Sequence, residues 1–145
     1  MRLTAYTDYT LRTLMFLALQ PDRHATIAVI ARAYGVSEAH LNKVVHQLGL
    51  AGDIETVRGR NGGIRLARAA TATTLGRVVR RTEPDMNIVP CLGGGDGCVI
   101  GDACVLQGVL AEAVAAFLAV LDRYTLADLI APRSRLAALL GMPAV

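Results

Sequence analysis

Cysteine is scarce, with three in the whole chain, an odd number that cannot all pair within one molecule, so a disulfide-stapled scaffold is not expected. Also missing is any run of roughly 18 uncharged apolar residues, the length a membrane span needs. The most apolar stretch, residues 103–121, contains Gln107 and Glu112 and is bracketed by Asp102 and Asp122, which reads as a packed helix of a soluble protein. Nor is a secretory leader expected, because Asp8 and Arg12 interrupt the apolar stretch that ends at Leu19. The cytoplasm is therefore the expected compartment, with no membrane partner. Internal repeats and low-complexity tracts are lacking. Charged residues make up only 19% against 53% apolar, a balance that fills a core and does not mark a disordered chain. With 145 residues there is room for one ordinary domain, or a small one with an oligomerisation arm, and none for a large multi-domain enzyme.

The charge that is present is unevenly spread. Residues 1–82 hold eleven Arg and one Lys against five acids, a net +7, whereas residues 83–145 hold three Arg against seven acids, a net −4. A compact positive segment attracts a polyanion, and nucleic acid is the usual one, bound through phosphate contacts and counterion release. A merely solvated basic face is the competing reading of charge alone.

Thr4 is placed to cap a first helix whose Leu11, Leu14, Met15, Ala18 and Leu19 recur on one face, ended by Gln20 and Pro21. A second helix is expected from Thr26 to Tyr34, with Ile27, Ile30 and Ala31 on its inner face and Gly35 in the turn that follows. Ser37 is expected to cap a third, in which Leu41, Val44, Val45 and Leu48 face the core. This is the pattern of a helix-turn-helix, although two packed helices of any protein can imitate it. Ile54, Thr56 and the stretch 64–66 then read as two short strands around a tip, residues 58–63, that holds Arg58 and Arg60. Like charges crowded at Arg58, Arg60, Arg65 and Arg68 repel unless an anion neutralises them, so the hairpin reads as a basic wing. The candidate DNA contacts are Ser37, His40, Asn42, Lys43 and His46 on the third helix and Arg58, Arg60 and Arg65 on the wing, for the major and minor grooves.

A short helix with Leu75, Val78 and Val79 inward and Arg77, Arg80 and Arg81 outward returns the chain to the core. Residues 91–104 then carry Cys91, Cys98 and Cys104 among five glycines, too many for a stable helix, and form a loop suited to wrapping a bound group with thiolates. Zinc would want a fourth ligand, and His24, His40 and His46 all lie in the basic half. A four-iron cluster can be held by three thiolates, a two-iron cluster is also compatible, and the cysteine count does not decide between them. Asp96 and Asp102 are the local candidates for a fourth ligand; spacing gives Asp8, an acid near a helix N-terminus, no preference. From Ala103 to about Arg123 a long helix stripes Leu106, Leu110, Ala113, Val114, Phe117 and Leu121, most simply buried against a second copy. Leu126, Leu129, Ile130, Leu136, Leu139 and Leu140 are expected to fold back as short helices. The fold class expected is mainly α with a small β-wing. Residues 1–82 form the winged helix-turn-helix, 83–104 the cluster loop, and 103–145 the dimerisation helix and tail. No catalytic base is placed beside any cysteine, so an enzyme is not expected, and an electron-transfer protein is the other class to set against a regulator.

In combination, Met1-Arg2-Leu3-Thr4 with Tyr6-Thr7-Asp8-Tyr9 and Leu11-Arg12, the wing from Val57 to Leu66, the cysteine triplet and the segment from Leu121 to Leu129 resemble the iron-sulfur winged-helix transcription regulators. The resemblance spans nearly the whole chain and is strongest to their nitric-oxide-sensing repressors. It implies a homodimer on a palindromic operator, one cluster per subunit held by Cys91, Cys98 and Cys104, and nitric oxide as effector. In such relatives the fourth ligand can be an acid from the first helix of the partner subunit, and Asp8 stands at the matching place. An IscR-like regulator of cluster assembly is the alternative within the family; there a histidine follows the last cysteine by three residues, and here that position is Gln107.

Overall fold

Threonine hydroxyls open several of the helices in the computed structural model, which describes residues 2–94 and 98–143. Thr4 Oγ1 accepts from the Thr7 N–H at the head of α1 (Ala5–Leu19), and Thr26 does the same for α2 (Ile27–Tyr34). Gly35, in the left-handed region at φ 64°, ends α2 and turns the chain into α3 (Glu38–Leu50). Ser37 occupies the N-cap position of α3 but makes no side-chain capping bond, contrary to the expectation from its type; its hydroxyl is exposed.

β1 (Ile54–Val57) and β2 (Gly63–Leu66) pair antiparallel, with Ile54 opposite Leu66 and Val57 opposite Gly63. Ala25 flanks the hairpin by exchanging two backbone hydrogen bonds with Ile64, at 3.0 and 2.9 Å. Gly63 is required there, because a Cβ would lie 2.7 Å from the Ala25 carbonyl oxygen. Leu14, Phe16 and Leu17 of α1 pack with Ile30, Leu41, Val44, Leu48, Ile54 and Ile64 and with Leu75 and Val78 of α4 (Leu75–Thr82).

The chain leaves this head after α4 and returns to it. The segment 90–103 contains two short 3-10 turns, Pro90–Gly93 and Gly101–Ala103, and α5 (Val105–Asp122) follows. α6 (Leu126–Leu129) and α7 (Arg133–Leu139) then fold back on the head. Leu126 is fully buried in the main core, and Ile130 packs on Ala18 and Leu19. Arg133 Nη2 donates to the Leu19 and Ala18 carbonyls at 2.7 and 3.3 Å, satisfying the open end of α1. The core of the winged head therefore includes the tail.

α4 joins the parts. Its arginines do not form the open basic face expected of them. Arg80 makes a two-point pair with Asp122 at the end of α5, at 2.5 and 2.7 Å, and that bond holds the Asp122 carboxyl below its usual range. Arg77 and Arg81 both face Asp53, whose side chain is buried. At the other end, Glu83 Oε1 accepts from Thr4 N (2.8 Å), Thr4 Oγ1 (3.0 Å) and Thr7 Oγ1 (2.5 Å), while Thr7 Oγ1 also lies 2.8 Å from Thr82 Oγ1. Partial burial opposes the Glu83 charge, but the bonds from Thr7 and Thr4 outweigh it and hold its carboxyl below the usual range.

No residue of α5 is buried within one protomer, and Val105, Leu106, Val109 and Val120 are exposed. With 18 residues, α5 is long and apolar enough to cross a membrane by length and composition, although it carries Glu112 and Asp122 and so is not the uncharged run whose absence the sequence shows.

Because the folded-state pKa of Glu83 is depressed, its contribution to stability is complete above the ordinary value near 4.5 and is lost as pH falls through the lower folded value. Glu83→Gln should lower stability at pH 7 by about 1–2 kcal/mol and flatten the acid limb of a denaturation series. Parallel pH profiles for variant and wild type would refute this role.

Candidate nucleic-acid interface and cysteine loop

Burying Leu41, Val44 and Leu48 turns the opposite side of α3 to solvent, where His40, Asn42, Lys43, His46 and Gln47 are exposed beside Ser37. His40 is held at its base by Tyr9 of α1, ring centroids 6.0 Å apart and planes 29° from parallel. At the wing tip Arg58 and Arg60 are exposed. Among the described residues Lys43, Arg58 and Arg60 form no salt bridge, so each is available to a phosphate. Arg65 differs. The strand register sets it opposite Glu55, whose Oε2 accepts from its Nε and Nη2 at 3.0 and 2.9 Å. Counting arginines along the wing overlooked this carboxylate, which neutralises part of the crowding.

Asp8 lies on the exposed side of α1, 45% exposed, with Arg12 Nε 3.0 Å from its carboxylate. Arg12 in turn stands 5.7 Å from the centre of the Tyr34 ring of α2. Burial raises the Tyr34 phenol pKa above its usual range, with Arg12 opposing and Asp8 assisting. Tyr9 entered the sequence reading only within the Tyr6-Thr7-Asp8-Tyr9 motif and Tyr34 only as a helix end, neither as a contact, whereas the i, i+4 spacing of Asp8 and Arg12 already permits the Asp8–Arg12 pair.

The cysteines are free thiols on the segment between head and arm. Cys91 lies half-buried in the turn Pro90–Gly93, which ends at Gly94 with φ 76°. Cys98 is exposed, and Cys104 occupies the N-cap position of α5 without a side-chain capping bond. Gln107 Nε2 donates to the Cys91 carbonyl at 3.0 Å, which ties the first turn of α5 to the start of the loop. Asp102 is exposed in the second turn, and Asp96 falls outside the described residues.

Among the described residues no three His, Cys, Asp or Glu side chains converge in one protomer. The donor chemistry nonetheless fits an iron-sulfur group: three soft sulfur ligands on glycine-rich backbone, one of them at a helix N-terminus whose amides favour a negative charge. Cys91, Cys98 and Cys104 would hold it.

A helix-turn-helix with a two-stranded wing, exposed cations on both, and a long arm beyond define a winged-helix transcription regulator. The comparisons agree. Residues 3–132 match the Rrf2 family model, described as an iron-dependent transcriptional regulator, and the chain belongs to that family. It is similar to the HTH-type transcriptional regulator NsrR of Bacillus subtilis, 49% identical over 98% of this chain and 99% of that one. The NsrR of Geobacillus kaustophilus is 50% identical over 97% of each chain. Among solved structures, CymR, the global cysteine regulator of B. subtilis, gives a TM-score of 0.75 at 25% identity, covering 89% of this chain and 95% of that one. IscR of T. potens gives 0.76 at 25% identity, covering 93% and 90%. The family model, the two NsrR proteins and CymR are named as regulators, not enzymes, and DNA is the partner a transcriptional regulator implies.

Lys43→Ala and Arg58→Ala should each reduce the salt dependence of duplex binding by about one ion, whereas Arg65→Ala should change it less because Glu55 already neutralises it. Binding isotherms over a salt series test this; equal slopes for all three variants would contradict it.

Proposed function

We propose that this chain is a cytoplasmic, homodimeric repressor that binds a palindromic operator through α3 and the wing and releases it in response to nitric oxide. The observation that carries the reading is the placement of three unpaired thiols, Cys91, Cys98 and Cys104, between a winged-helix head and an apolar exposed arm, in a chain 49% identical to an NsrR. One iron-sulfur cluster per subunit is proposed, a four-iron cluster by preference, with a two-iron cluster compatible with the same thiols. Its fourth ligand is proposed to be Asp8 of the partner subunit. Within one protomer the Asp8 carboxylate is half exposed and pairs only with Arg12 of its own helix among the described residues, so it is accessible as a ligand to a site on another chain. The exposed stripe of α5 supplies a reason to dimerise, since each large apolar side chain that becomes fully buried contributes roughly 1.5–3 kcal/mol. Gln107, bonded to the Cys91 carbonyl, stands where an IscR-like regulator has its histidine, which favours the nitric-oxide reading.

When bound, such a cluster supplies an iron corner that nitric oxide can ligate. Asp8 then has two alternative partners, the shared site and its own Arg12. Held across the dimer, it fixes the first turn of α1, which Thr7 and Glu83 join to α4 and Tyr9 joins to α3. Asp8 would be the weakest of the proposed ligands, since a carboxylate grips iron less tightly than a thiolate does, and a released Asp8 has Arg12 of its own helix as a ready partner at 3.0 Å. The two heads lose the spacing of successive major grooves, about 34 Å, and affinity falls.

Cys98→Ala should abolish the visible absorbance of anaerobically prepared protein and weaken operator binding; a fully coloured variant would end the cluster assignment. Asp8→Ala should retain iron yet respond differently to nitric oxide, and titrations superimposable on wild type would remove Asp8 from the site.

A further inference from the structure

Asp53 stands where α3 passes the chain to the wing. Its N–H donates to the Leu48 carbonyl at 3.0 Å, closing the end of α3, and its carbonyl accepts from Ala67 N at 2.9 Å, closing the base of the hairpin beyond β2. Its side chain is only 3% exposed, an environment in which a carboxylate needs a partner of opposite charge. Arg81 Nη1 lies against Oδ2, and Arg77 Nη2 is 4.0 Å from Oδ1. These are contacts of charge; neither carboxylate oxygen accepts a well-aligned hydrogen bond among the described residues. Both guanidinium groups come from one face of α4, four residues apart.

A buried ion pair of this kind adds little net stability over a well-packed apolar residue, but it does hold two elements in one relative position. Ile54 and Ile64 anchor the base of the wing in the core, and the Asp53 contact adds a charged tie to α4 at the same end. Two strands of four residues are marginal alone, and Ala25 supports only the β2 side. The Asp53 carboxylate supplies the tie to α4, the helix that meets α1 through Glu83 and α5 through Asp122.

We propose that Asp53 is a positioning residue for DNA binding: gripped by Arg81 and Arg77, its buried carboxylate sets the angle at which the wing and its tip arginines meet the duplex relative to α3. The proposal rests on α3 and the wing being the DNA-contacting face, and is independent of the cysteine loop. Asp53 touches no DNA in this scheme and acts through Arg58 and Arg60.

The test uses the full chain and a duplex enriched from a random-sequence pool by the wild-type protein. Asp53→Asn should stay folded by circular dichroism and bind that duplex about tenfold more weakly, and in its background Arg58→Ala should cost less than about twofold further. Arg81→Lys, which keeps the charge, should retain most of the affinity, while Arg81→Gln should reproduce Asp53→Asn. Should Asp53→Asn fail to fold, the Arg81→Gln and Arg58→Ala pair, whose side chains are not buried, gives the same cycle. If Arg58→Ala costs the same factor with and without Asp53, a lowered melting temperature notwithstanding, Asp53 only packs and the proposal is overturned. If Arg58→Ala has no effect in the wild-type background, the wing reading itself falls and takes the proposal with it.

Discussion

The carboxylate of Glu83 accepts three hydrogen bonds from Thr4 and Thr7, and through them the first turn of α1 is fastened to the end of α4. That fastening gives the remaining features a common frame. Thr7 immediately precedes Asp8, and Glu83 begins the segment that leads to Cys91, so the acid and the start of the cysteine loop share one anchor. From the same helix, Arg80 reaches the end of α5 and Arg81 reaches Asp53 at the base of the wing. α4, eight residues long, thus touches α1, the arm and the base of the wing, while α1 also meets α3 directly through Tyr9 and His40.

The head is self-sufficient in a way the arm is not. Its core closes over α1, α2, α3, the hairpin and the returning tail, with Leu126 and Ile130 completing it. α5 projects Val105, Leu106 and Val109 into solvent beside Cys104 and next to a loop whose thiols lack a fourth donor in their own protomer among the described residues. Dimerisation, as proposed, covers the first deficit and meets the second through the same contact. The division also matches the charge: the positive half carries the proposed DNA face, and the acidic half carries the arm.

Local chemistry made much of this legible in the sequence. The cap at Thr4, the glycine at 35 and the spacing of Leu41, Val44 and Leu48 depend on neighbours within a few residues, and the structure reproduces them; Thr26, expected as the first residue of α2, is its N-cap instead. What escaped depends on partners far along the chain. Arg65 looked free until register placed Glu55 opposite it, and a one-residue slip would have sent it to the other face. The α4 arginines looked like an open basic surface because their partners, Asp53 and Asp122, lie 24 or more residues away. Ser37 has the right type for a cap but leaves its hydroxyl unused. For the cysteine loop, spacing names the donors, while their convergence is a property of tertiary and quaternary structure that spacing does not carry.

The proposed role of the three thiols is tested most directly by preparing the wild-type chain without air and following its visible absorbance, iron and acid-labile sulfide, and duplex affinity before and after stoichiometric nitric oxide. The account predicts coloured, sulfide-containing dimers that bind tightly and let go once nitric oxide is added. Colourless, sulfide-free protein that holds the same duplex equally well with and without nitric oxide would contradict it.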